Sequence, residues 1–233
     1  MKRLAFRLLC LIIGAIYFSG CNITKPTANI SKQDRETYLY SLGINSAPVD
    51  LNDFDAVSRV YIQTLLTKTY FYSWETASEI KADDLIEICV INNLLNLPRD
   101  VEGVYLPESG NPSAEQVEAA IKKHCDVTSD HLRTSRWYNA PDNTYALVFG
   151  GGGSVAPIAT GAEQKGNQII IEVTLLSHPD IYEWTDSSTL PSGKLQPDGS
   201  LLTPAGILTV ELDDTNVIHF ISYKLNDSFR WYK

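Results

Sequence analysis

Two periodicities divide the chain. From about Asp53 to Leu132 apolar residues recur three and four positions apart, the spacing of helix faces, and from Arg136 onward they alternate with polar ones, the spacing of strands. The first helix starts at Asp53 or Asp55, either of which suits an N-cap, and runs to about Tyr72. Phe54, Val57, Tyr61, Leu65 and Lys68 fall on one stripe, widened by Val60, Leu66 and Tyr70. A second helix begins after Ala82 with Asp83 or Asp84 as cap, carries Leu85, Ile86, Cys89, Val90 and Leu94, and stops at Pro98. Ser113 followed by Gln116 is a capping box that opens a third helix over 114–124, with Val117, Ala120 and Ile121 inward and Glu115, Glu118, Lys122 and Lys123 toward water. Thr128 or Ser129 caps a short helical turn to Leu132.

The strands expected from the two-residue period are 136–138, 145–149, 154–164, 168–177, 207–212 and 217–225, separated by turn-forming groups at 139–143, 166–167 and 213–216. Helices first and strands after, without alternation, predict an α+β fold: N-terminal helices packed on a C-terminal antiparallel β-sheet meander. That plan resembles the NTF2-like and cystatin-like folds in architecture alone, with no motif behind it and no activity attached. The connection 178–205 is rich in Pro and Gly yet carries Tyr182 and Trp184, two large aromatics that loop composition does not require. Aromatic rings bury much area at small entropic cost, which makes this pair the candidate binding residues.

Ahead of the folded pattern lie a basic start (Lys2, Arg3, Arg7), an apolar run from Leu8 to Phe18, and Ser19-Gly20-Cys21, the zones of a signal peptide. The apolar run reaches roughly 16 Å as a helix, about half of a ~30 Å hydrocarbon core, so it targets rather than spans. Phe18-Ser19-Gly20-Cys21 resembles the lipobox of bacterial lipoproteins, with Phe18 in place of the usual Leu. The resemblance implies a signal peptide over 1–20, lipidation of Cys21, and a domain held on the outer face of a cell membrane or outer membrane. One acyl chain holds only marginally, so a durable anchor takes more than one. Residues 21–49, polar and broken by Pro26 and Pro48, read as a flexible tether, and 50–233 as a single domain.

Composition narrows the function classes. Hydrophobic 44% and charged 20% exclude a disordered chain and a multi-span membrane protein. Net charge is −9 and becomes −12 when residues 1–20, with three basic and no acidic side chains, are removed. Lys122-Lys123 is the densest basic cluster, so nucleic acid is not an expected partner. Once Cys10 and Cys21 are set aside, Cys89 and Cys125 remain, either as a possible disulfide of an exported protein or as buried thiols.

Catalytic and metal patterns are weak. The histidines at 124, 131, 178 and 219 lack zinc spacing, and no cofactor is expected. Gly150–Gly153 follow a strand without the Lys-Ser/Thr of a phosphate loop, which leaves a wide hairpin connection. Asp50, Asp53 and Asp55 could ligate calcium, but helix capping explains them without a metal. Tyr70, Phe71, Tyr72 and Trp74 are too many consecutive aromatics for one core face, unless some cover the open end of the sheet. The reading is a membrane-anchored, non-catalytic binding module for a protein, peptide or glycan. The alternatives are an envelope hydrolase, which needs Glu172, Glu211 and His219 to converge, and a structural surface spacer.

Overall fold

Asp53 caps the first core helix as its sequence position suggests, accepting the N–H of Ala56 at 3.1 Å. The structure is a computed structural model that describes residues 32–92, 94–95, 110–146, 155–177, 194–195, 201–227 and 229. The chain divides into units 1–37 and 38–233. Among the described residues the first unit holds only the start of α1 (Lys32–Ser41), a polar helix with an exposed Lys32–Glu36 pair at 3.8 Å. Cys21, Gly150–Gly153, Tyr182 and Trp184 lie outside the described residues.

In the second unit the long helix expected over 53–72 is broken into α2 (Phe54–Val57), a π turn over Ser58–Ile62 and α3 (Leu66–Thr69). The cause is hydroxyl competition for backbone acceptors. Ser58, Thr64 and Thr69 each donate to the carbonyl four residues back, at 2.5, 3.1 and 3.2 Å. The N–H of Gln63 then reaches the Ser58 carbonyl, and the Asn92 side chain donates to the Thr64 carbonyl at 2.6 Å, which satisfies an acceptor opened by the break. The stripe survives the interruption: Val57, Val60, Tyr61, Leu65 and Leu66 are buried, whereas Phe54 is exposed.

Helix α4 (Ala82–Ile91) begins after Lys81 with no side-chain cap. The two acids expected to cap it bind neighbouring segments. Asp83 accepts from Ser135 Oγ and the Arg136 N–H, and Asp84 accepts from Tyr72 Oη at 2.7 Å. Helix α5 (Ala114–Lys122) starts at the Ser113–Gln116 capping box, and α6 (Ser129–Leu132) at Thr128. A two-stranded hairpin, β1 (Tyr138–Asn139) with β2 (Thr144–Tyr145), joins this helical half to the sheet region.

The main sheet is an antiparallel meander of β3 (Val155–Lys165), β4 (Gln168–Ser177), β6 (Leu201–Leu212) and β7 (Ile218–Leu225). The short β5 (Lys194–Leu195) pairs with the start of β6. The architecture is α+β, helices N-terminal and sheet C-terminal. Strand β6 begins six residues earlier than the alternation predicted, running through Pro204 and Gly206. Pro204 stands opposite Thr174, where the ladder with β4 shifts register, a place that tolerates a missing N–H.

Ile169, Ile171, Val173 and Leu175 of β4, Leu208 and Val210 of β6, and Tyr223 of β7 share one core with the helical residues. Ile44 and Val49 belong to it too, so the folded body reaches back before Asp50. The outer edge of β7 is occupied. Trp74 and Tyr223 exchange two N–H···O bonds at 2.8 Å, Leu225 donates to Ser73 Oγ, and Phe220 donates to the His124 carbonyl. Of the aromatic run, Trp74 and Tyr70 are therefore inside, and Phe71 is 46% exposed. No helix among the described residues is long and apolar enough to cross a membrane.

Candidate functional site

Two irregularities fall side by side in the sheet. The β3–β4 ladder skips Thr160, and the β4–β6 ladder skips Ala205, both next to Val173. Bulges bend the strand that carries them and increase its twist. Above them, on the face opposite the helices, lies a groove of about 540 Å³. That volume is in the range of small-ligand sites.

Strand register fixes what lines it. Gly161 is opposite Glu172, Glu172 opposite Ile207, and Ile207 opposite Lys224, so one row crosses four strands on one face. A second row has Thr160, Thr174 and Pro204, and Asn226 and Asp227 close the end. The Thr160 and Thr174 hydroxyls are 3.0 Å apart, and Thr174 is only 6% exposed. A Cβ on Gly161 would come within 2.8 Å of Oε2 of Glu172, so the bare glycine is what lets the carboxylate lie across β3. Among the described residues neither Glu172 nor Lys224 forms an ion pair.

Sequence reasoning named Glu172 only as part of a hydrolase constellation and missed Thr160, Thr174, Ile207 and Lys224. The available signals were Gly161, Pro204 and Gly206 inside strand-like runs, since such residues in a strand mark bulges or close backbone approaches.

The residues that would make a hydrolase do not converge. Glu211 faces His219 across β6 and β7, four residues and about 13 Å along β6 from the level of Glu172. His219 Nε2 lies 3.3 Å from Asp213 Oδ2 at the hairpin turn. Asp213 is the organiser of that turn, accepting from Thr215 Oγ1 and from the N–H groups of Thr215 and Val217. The Thr215 hydroxyl and these amides hold its carboxyl well below the usual carboxylate range, which makes it a poor proton acceptor.

A second hollow of about 460 Å³ contains Glu118, Lys122, Ser129 and Arg133. Glu118, expected in water, is 5% exposed. It accepts from Arg133 Nε at 2.7 Å and from Ser129 Oγ, and Lys122 Nζ stands 3.9 Å away. Burial opposes its ionisation, but the Ser129 and Arg133 hydrogen bonds and the two cations outweigh it and lower its pKa. A carboxylate so held staples α5 to α6, and it is too weak a base to activate Ser129.

Cys89 and Cys125 are free buried thiols, the second of the two readings that the sequence left open. Burial pushes both up to about 12. Asp50 and Asp53 serve as turn and helix caps, and no metal-binding group of His, Cys, Asp and Glu occurs among the described residues. His124 and His131 bond the carbonyls of Ile218 and Ile80, both at 2.8 Å. No family model matches the chain, nor does any curated protein or solved structure.

Proposed function

We propose that the chain is a lipid-anchored extracytoplasmic binding module: acyl chains on Cys21 hold it at a cell membrane or outer membrane, and the groove over Glu172, Ile207 and Lys224 receives a ligand without chemical conversion. The observation that carries the reading is the groove itself, in which an acid and a base, each without an ion-pair partner among the described residues, flank an exposed isoleucine in a concave site. Charges that the fold leaves unpaired in a concavity are available to a ligand, whose own charges then offset the water that both sides give up. Dispersal of Glu172, Glu211 and His219 favours binding over hydrolysis. The net negative body favours ligands other than nucleic acid.

Anchoring is tested by mass spectrometry of the mature N-terminus and by sedimentation with membranes. A Cys21→Ala variant is expected to lose both the lipid mass and the membrane fraction, and a variant processed and sedimented like the parent overturns the anchor. Binding is tested with a photoreactive amino acid at position 207 in cells. Adducts at 207 that are missing from a surface control at Glu79 support the groove, and equal labelling at both overturns it. Tyr182 and Trp184 form a separate candidate from the sequence alone, to be dropped if their double alanine variant recovers the same partners from solubilised membranes.

A further inference from the structure

We infer that the groove takes a zwitterion of short-peptide length, its ammonium seated at Glu172 and its carboxylate at Lys224; this rests on the groove being a ligand site. The argument starts from the register. Glu172 and Lys224 flank Ile207 on adjacent strands, so their backbones stand two strand spacings, about 10 Å, apart. The missing side chain of Gly161 gives the Glu172 carboxylate room on the far side, over β3, which lengthens its distance from Lys224. The two charges are thereby kept from neutralising each other, and Ile207, 40% exposed, is the surface between them.

An occupant has to match three things in order: a cation, an apolar middle and an anion. An extended peptide advances about 3.3–3.6 Å per residue, so the termini of a tripeptide reach from one charge to the other. Its central side chain then lies on Ile207. At the Glu172 end the Thr160–Thr174 hydroxyl pair offers further hydrogen-bond partners for an ammonium or a first peptide group. At the Lys224 end Asn226 and Asp227 close the groove. Saccharides fit less well, because the described lining includes no aromatic platform and its charges are separated rather than forked for a diol.

The test uses the full-length chain in detergent micelles with isotope-labelled isoleucine methyls, Ile207 being the reporter. Alanyl-leucyl-alanine is compared with its N-acetyl form, its C-terminal amide and the doubly blocked peptide, with maltotriose as the saccharide arm. The free tripeptide is expected to move the Ile207 methyl saturably, and either block is expected to weaken it by about tenfold, the scale of one lost charged hydrogen bond. In Glu172→Gln the N-acetyl block should cease to matter while the amide still does, and in Lys224→Met the reverse. The core isoleucine methyls report that each variant is folded. Equal binding of free and doubly blocked peptide, or a shift with maltotriose alone, overturns the zwitterion while leaving the groove as a site. If neither probe moves Ile207, the zwitterion fails, and the position-207 adducts then decide whether the groove itself stands.

Discussion

Nδ1 of His124 lies 2.8 Å from the carbonyl oxygen of Ile218, and the His124 carbonyl accepts the N–H of Phe220 at 2.9 Å, so one residue ties the end of α5 to the start of β7 twice. A carbonyl only accepts, so Nδ1 carries a proton and Nε2 is the site that titrates. Burial lowers the His124 pKa, the Ile218 bond opposes that, and the charges of Lys123 and His219 add to it. The folded value therefore lies below the unfolded one, and between the two the unfolded chain binds more protons. Stability is then complete above the ordinary histidine value of about 6.5 and falls as pH drops below it. Urea midpoints measured from about pH 7.5 to 5.5 should decline in the parent and flatten in His124→Asn, whose own cost should be about 1 kcal/mol. An unchanged slope in the variant would assign the decline elsewhere.

Glu118 acts in the same direction at lower pH. Its pKa is lowered in the fold, so its contribution is present above the unfolded carboxylate value and is lost as pH falls through the folded one. Glu118→Gln should cost about 1–2 kcal/mol at neutral pH, less than for a fully buried pair because Arg133 and Lys122 remain in water. The loss should shrink below about pH 4. Equal cost at both ends of the pH range would mean the side chain acts by packing alone.

Both core thiols should be chemically silent in the native state. With Cys89 and Cys125 buried and pushed up to about 12, the thiolate that reacts with a disulfide reagent is scarce at neutral pH. In the Cys21→Ala chain lacking residues 1–20, two thiols should titrate only after denaturant is added. Absence of thiol after unfolding would reveal a bridge.

Two glycines on the strands that flank β4, Gly161 on β3 and Gly206 on β6, should behave differently. At Gly206 a Cβ would run into the backbone carbonyl of Lys224, which cannot move without disturbing β7, so Gly206→Ala should cost about 1–3 kcal/mol. At Gly161 the obstacle is the free end of the Glu172 side chain, so Gly161→Ala should leave the thermal midpoint nearly unchanged while displacing the carboxylate. Thermal melts of the two variants check the contrast, and comparable losses would place Glu172 in a structural role.

Periodicity made the layers legible because burial on one face repeats every 3.6 or 2 residues whatever the partner element is. The capping box at Ser113 and the cap at Asp53 were equally legible, being interactions within four residues. The break after Val57 was hidden because it depends on three hydroxyls and on Asn92, remote in the chain. Burial of Glu118 was hidden for the same reason, since its position on α5 reads as solvent until Arg133 and Ser129 fold over it. The groove was nearly invisible, because Glu172, Ile207 and Lys224 meet only through strand register, and Gly161 and Gly206 pointed to bulges without saying what would gather there.

Because Tyr223 pairs with Trp74 and Leu225 with Ser73, contacts that span about 150 positions, the outer edge of the last strand has no partner until the helical half is assembled, and its inner edge depends on β6. A ribosome or translocation channel still holding residues 218–225 would leave β6 with an unpaired rim, a template for a second molecule's strand. Chains cut short before Ile218 should therefore associate with one another rather than merely lose rigidity, and the hazard ends only when the final hairpin closes.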